Sequence, residues 1–225
     1  MPKVKVPRKS TSMDMTAMTD VAFLLLTFFM LTTKFRPPEL APVDLPSSRA
    51  EVKIPDKNVM LITCTADGKV FFGLDNKKVR ARALDRMEAS FQTVKFTPEE
   101  KAGFSLMDEF GVPFEQLPKI CTMSNEERMK IGQTGIPVDS TQSKFHRNEL
   151  GEWIYNSRMA EAELRQAGEI GDSEGLFICL KGAGSADYAT VKKIITTFTE
   201  KKVNKFNIIT SMEAGGVAVA ENPKH

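Results

Sequence analysis

The chain has 225 residues, 27% of them charged and 41% hydrophobic, with a formal net charge of +2. This near-neutral balance excludes a polyanion-binding surface built on surplus basic residues, so no nucleic-acid partner is expected. The composition is too apolar for a disordered chain, and three cysteines are too few for a disulfide scaffold.

The averages hide an uneven N-terminus. Residues 1–12 read as a tail that carries Lys3, Lys5, Arg8 and Lys9 and no acid. Val21 to Thr33 then reads VAFLLLTFFMLTT, without a charge. Extended back to Met13, the apolar stretch reaches about 21 residues, roughly 32 Å at 1.5 Å per residue. That length predicts a transmembrane helix over 13–35, with Asp14 near its edge, provided Asp20 is tolerated well inside it. A signal peptide would need a small-residue cleavage site after the apolar run. KFRPPELAPVDLP follows instead, bulky and charged. The basic tail keeps the N-terminus in the cytoplasm and sends the remaining ~190 residues across the membrane. Lys34 and Arg36 weaken that bias without reversing it.

Asp20 is the most informative residue. An ionised carboxylate at a helix centre costs about 2.5–3.5 kcal/mol on insertion scales. Desolvation favours the neutral acid, which makes its proton exchangeable near neutral pH. Helical spacing puts Thr16 and Thr27 within about 40° of Asp20, with Met13 and Leu31 on the same side. Such a polar stripe faces protein or water rather than lipid. The plainer alternative is an acid that only hydrogen-bonds a neighbouring helix, or one that sits among the headgroups of a shorter span.

The stretch MDMTAMTDVAFLLLTFFMLTT resembles the transmembrane segment of the ExbD/TolR family of biopolymer-transport proteins. Met15, Thr16, Asp20, Phe23, Leu25, Leu26, Phe28, Phe29 and Thr32 carry the likeness. Val43 to Ser48, VDLPSS, resembles a short motif that the family carries just outside the membrane. Ala17 departs from it, standing where the family usually has proline. The resemblance implies two such helices inside a pentameric ring of ExbB-like multi-pass subunits. It also implies that Asp20 carries protons down the transmembrane gradient, and that the exported part works on a TonB-like protein. Self-association as a dimer, contact with membrane lipid and residence in the bacterial inner membrane follow from the same likeness.

Residues 36–57 read as a linker, with five prolines between Arg36 and Pro55. Such a segment is a semi-rigid spacer. It serves either as a plain tether or, through Val43, Asp44, Leu45 and Pro46, as a segment that docks on a strand edge or a partner. Asn58 to Gly73 then predicts a β-hairpin, because Asp67-Gly68 separates two apolar runs. Val79 to Phe91 has helical character, with Leu84, Met87 and Phe91 on one face. Leu176 to Leu180 and Phe206 to Thr210 are strand candidates. Between them Thr190 to Lys201 is amphipathic, with Val191, Ile194, Ile195 and Phe198 at helical spacing.

The expected class is therefore α+β: one transmembrane helix, then a small periplasmic sheet domain over 58–213 with helices on one face, then a tail over 214–225. The Ala66-Asp67-Gly68 turn and the Asp187-Tyr188 pair before the last helix also resemble the periplasmic domain of the family. About 93–173 has no counterpart in that likeness. Its first section shows no strand alternation, and Asn148 to Ala167 looks helical, with Leu150, Trp153, Ile154 and Leu164 as apolar contacts. It reads as an insertion in the helical layer, either a packed decoration or a docking surface.

Catalytic chemistry is not expected. His146 is isolated and His225 is terminal, either native or the start of a tag, so neither a metal site nor another cofactor is predicted. Lys181-Gly182-Ala183-Gly184-Ser185 lacks phosphate-loop spacing and reads as a strand-to-helix loop. Cys64 and Cys179 are expected mid-strand as small hydrophobes; a disulfide between them is the alternative, and Cys121 is the odd thiol. Three functions remain: an ExbD-like motor subunit that energises TonB-dependent transport, a TolR-like subunit serving envelope integrity, or a bitopic scaffold on a passive anchor.

Overall fold

The computed structural model describes residues 15–33, 43–48, 55, 57–92, 94–139, 141, 143–171, 175–209 and 211–212. Expectations for the basic tail, for Met13 and Asp14, for 34–36, for most of the linker and for the C-terminal tail with His225 lie outside these residues. The chain divides into two compact units, Met1–Pro38 and Glu39–His225.

The first unit contributes one helix, α1 (Met15–Thr32), about 27 Å long at 1.5 Å per residue. None of its residues is buried, as expected of an apolar helix taken without its surroundings. It is long and apolar enough to cross a membrane.

The second unit opens with the two-residue strand β1 (Ser47–Ser48). The predicted hairpin follows as β2 (Val59–Cys64) and β3 (Val70–Leu74). Its turn depends on Gly68, whose φ of +72° suits glycine and whose N–H donates to the Thr65 carbonyl. The helix α2 (Lys77–Phe91) starts at Asn76, whose side chain accepts from the N–H groups of Lys78 and Val79. Next come α3 (Pro98–Ser105), β4 (Glu109–Phe110), a single 3-10 turn at Phe114–Gln116, α4 (Leu117–Cys121) and α5 (Asn125–Ile131). The chain closes with α6 (Glu149–Gln166), β5 (Phe177–Gly182), α7 (Tyr188–Glu200), β6 (Asn207–Ile209) and β7 (Ser211–Met212).

Five strands form one mixed sheet in the order β4-β3-β2-β5-β6. The β4, β3 and β2 pairs are antiparallel, while β2, β5 and β6 run parallel. Alternation sends Met60, Ile62, Cys64, Val70, Phe72, Leu74, Ile178 and Leu180 to one face, where all are buried. Val79, Ala83, Leu84 and Met87 of α2, Leu150, Trp153 and Ile154 of α6, and Ile194 and Phe198 of α7 join them in one core. The domain is thus α+β, with a helical layer over one sheet face.

Several expectations need revision. The inserted region does not stay in the helical layer. Its β4 extends the sheet beside β3, with Phe72 opposite Phe110 and Gly73 opposite Glu109. Gly73 makes this possible, since a Cβ there would meet the Asp108 carbonyl oxygen at 2.8 Å and Glu109 Cγ at 3.1 Å. Glu109 reaches across that gap and accepts a hydrogen bond from Thr63 Oγ1 at 2.5 Å. The segment read as irregular contains α3, α4 and α5. Capping boxes start two of them, Thr97 with Glu100 and Ser124 with Glu127. On α7, Ile195 is exposed at the rim, and only Ile194 and Phe198 of the expected apolar face are fully buried.

The Cys64–Cys179 disulfide is excluded by register. Cys64 lies opposite Gly182 and Cys179 opposite Leu61, so the two are three residues apart along the strands, about 10 Å, and point to opposite faces. All three cysteines are buried free thiols. Burial pushes Cys121 up to about 12 and Cys179 up to about 11, away from thiolate chemistry.

Trp153 joins the inserted region to the sheet. Its ring lies 5.0–5.9 Å from those of Phe72, Phe104, Phe110 and Phe114, three of them inserted residues. Nearby, the buried Glu149 accepts from the Phe114 N–H at 2.8 Å and from Ser143 Oγ. Burial raises the Glu149 carboxyl above its ordinary value, against these two bonds, which favour the charged form.

Two predictions follow from this core. Trp153→Ala removes the hub of the aromatic cluster and costs about 3–5 kcal/mol by urea unfolding; a loss near zero would show that the inserted region does not share the core. Because the Glu149 carboxyl is raised in the folded state, its contribution to stability is present below the ordinary carboxyl range and lost as pH rises through the raised value. Glu149→Gln keeps an acceptor for Phe114 and a donor for Ser143 without that loss. Its stability relative to the parent therefore increases from pH 4 toward neutrality, and a pH-independent difference between the two proteins would contradict the assignment.

Candidate functional site

Two places carry the residues singled out by the sequence. On α1, Asp20 is the sole ionisable side chain, about 8 Å along the axis from the first helical residue. Thr16 lies one turn before it and Thr27 two turns after it, so the three share a helix face. Asp20 is exposed and Thr27 is half-buried against its own helix.

The threonines have a structural role that the spacing alone does not show. Thr27 Oγ1 donates to the carbonyls of Phe23 at 3.0 Å and Leu24 at 2.9 Å. Thr19, Thr32 and Thr33 likewise donate to carbonyls of the preceding turn. These bonds satisfy the hydroxyl donors within the helix, the arrangement that hydrocarbon demands. Thr27 therefore offers Asp20's face a lone pair rather than a free donor. Thr19 was missed by the stripe argument, since it lies 100° away from Asp20 around the helix.

In the second unit, Val43 to Pro46 runs extended, with Val43 and Leu45 half-buried and Asp44 and Pro46 exposed. The Asp44 carbonyl oxygen accepts the Gly184 N–H at 2.8 Å. A Cβ at Gly184 would come within 3.8 Å of Asp44 and Pro46 backbone atoms. Immediately after, β1 pairs in parallel with β7, Ser47 opposite Ser211 and Ser48 opposite Met212. Asp44 thus meets the loop between β5 and α7 through its backbone, and β1 after it meets β7. The bond uses a main-chain oxygen, so no side-chain pattern specifies this partner.

That loop is the glycine-rich Lys181–Ser185 stretch, and it leads into α7 through Asp187. The Asp187 carboxylate accepts the Ala189 N–H at 3.2 Å, which gives the Asp187-Tyr188 pair its structural meaning as a helix start. Among the described residues no group of three or more His, Cys, Asp or Glu side chains could hold a metal ion. The site residues thus fall into a single acid on an apolar helix and a docked backbone segment. The first can bind and release a proton; the second can tie a tether to the domain.

A family model described as Biopolymer transport protein ExbD/TolR matches residues 7–213. The match runs through the inserted region as well as through the helix and the sheet. No curated protein and no solved structure matches the chain. With nearly its whole length matched and one apolar N-terminal helix ahead of an α+β domain, the chain belongs to the ExbD/TolR family of biopolymer transport proteins.

Proposed function

We propose that this chain is the proton-carrying subunit of an inner-membrane motor, with Asp20 as the carrier. The reading rests on one observation: the only ionisable group of an otherwise apolar span lies on a face it shares with Thr16 and Thr27. Placing that acid in a bilayer costs several kcal/mol, which a purely mechanical anchor has no reason to bear. Family membership supports an ExbB-like or TolQ-like multi-pass ring as partner, with Asp20 facing it.

In this reading each proton crossing 100 mV supplies about 2.3 kcal/mol. Protonation removes the charge from Asp20 and lets its face pass apolar ring surface; deprotonation restores the attraction to polar ring groups. The alternation drives motion between the helices and the ring. Lys3, Lys5, Arg8 and Lys9 hold the N-terminus in the cytoplasm, so the sheet domain works in the periplasm. There, together with a second copy, it passes the motion to a TonB-like protein through the docked Val43–Pro46 segment. The chain is a transmitter and not an enzyme.

The family description covers both transport and envelope-integrity motors, so a TolR-like role is the second reading. Deleting the gene abolishes TonB-dependent uptake in the first case and makes the envelope leak in the second.

The Asp20→Asn variant, expressed and inserted at the parental level, is expected to abolish energised uptake. Uptake at the parental rate would remove the proton role. Exchanging α1 for an unrelated apolar span of equal length is expected to give the same complete loss, whereas a passive anchor would tolerate the exchange.

A further inference from the structure

Away from the membrane acid, α6 carries a row of buried polar atoms that the packing leaves over. Ser157 is 0% exposed and Glu161 only 3%. Among the described residues, Ser157 Oγ and Glu161 Oε1 have no hydrogen-bond partner, and neither does Trp153 Nε1 one turn earlier. The three side chains stand at i, i+4 and i+8, on adjoining parts of one helix face.

Ser157 departs from the behaviour of comparable hydroxyls. Ser90 on α2 and Thr196, Thr197 and Thr199 on α7 each donate to the carbonyl four residues back, at 2.9–3.1 Å. That bond is open to any helical serine and satisfies its donor at no cost in position. Ser157 does not make it. Its hydroxyl is fully buried with no partner among the described residues, where an unpaired donor is costly. Glu161 is half-satisfied in the same way: Oε2 faces Arg165 at 3.6 Å, while Oε1 is left over.

We propose that this face of α6 is a built hydration site, in which an ordered water bridges Ser157 Oγ and Glu161 Oε1. The spacing fits. Side chains one helical turn apart have Cβ atoms about 5–6 Å from each other, so the two oxygens lie on neighbouring side chains that one water, held by two hydrogen bonds of about 2.8 Å, can join. The polarity fits as well, since a hydroxyl can both donate and accept and a carboxylate only accepts. Ser157 donates to the water, and the water donates to Glu161. The Trp153 indole N–H, a donor only, stands at the head of the same row. Glu161 then has Arg165 facing one oxygen and the water on the other. Buried waters of this kind bind where two or more polar groups converge, and apolar cavities stay dry.

The test uses the full-length protein in detergent micelles, with unfolding followed through Trp153, the only tryptophan in the chain. A bridged site predicts that Ser157→Ala lowers the unfolding midpoint, even though alanine is the better helix former. A dry site predicts the reverse, because the substitution then removes an unpaired hydroxyl; a midpoint that rises or stays unchanged overturns the proposal. A crystal structure of the same protein that resolves ordered solvent is expected to show density within hydrogen-bond reach of both atoms. Direct contact between the two side chains, or a dry gap, would overturn it too.

Discussion

A carboxyl group in hydrocarbon must find a partner or give up its charge. Asp20 interrupts an apolar helix whose other polar groups are already satisfied. The threonine hydroxyls of α1 turn back onto carbonyls of the preceding turn, so the helix spends its own acceptors on them. The acid is the group left to interact with something outside the helix. On the proposed reading, a ring of partner helices supplies that something.

The second unit shows how the region about 93–173, expected as an insertion, packs with the rest of the domain. The additional chain does not hang from a loop. It inserts Phe104, Phe110 and Phe114 around Trp153, adds β4 to the sheet, and lays α6 against α2. Buried Arg80 ties the same region to β3 and α2, donating to the carbonyls of Leu74 and Ser105. A core shared to this extent argues against a loosely attached docking module.

Elements whose pattern is local were legible in the sequence. The β2–β3 hairpin followed from Asp67-Gly68 between two apolar runs, and α2, α6 and α7 followed from helical spacing. The span was legible because the charge-free run from Val21 to Thr33, extended back through Asp20, reaches the length that crosses a bilayer core. Elements set by tertiary position were not. A two-residue strand such as β4 has no periodicity to read, and β1 and β7 pair only because the linker is brought to the end of β6. The short helices α3 and α5 did leave signals, the capping sequences Thr97-Pro98-Glu99-Glu100 and Ser124-Asn125-Glu126-Glu127, which outrank their irregular apolar content. At the site, Asp20 stood out as a lone charge. Val43–Pro46 was singled out as a docking segment, but its contact with Gly184 was not legible, since that bond is made by the backbone of Asp44.

The most direct measurement of the central claim is proton flux, read apart from any cellular uptake. The full-length chain is co-reconstituted with its multi-pass partner in vesicles that enclose a pH-sensitive dye, and a membrane potential is applied. The account predicts inward proton flux with the parental chain and none above background with Asp20→Asn, at equal incorporation of both proteins. Equal flux with the two chains would contradict it.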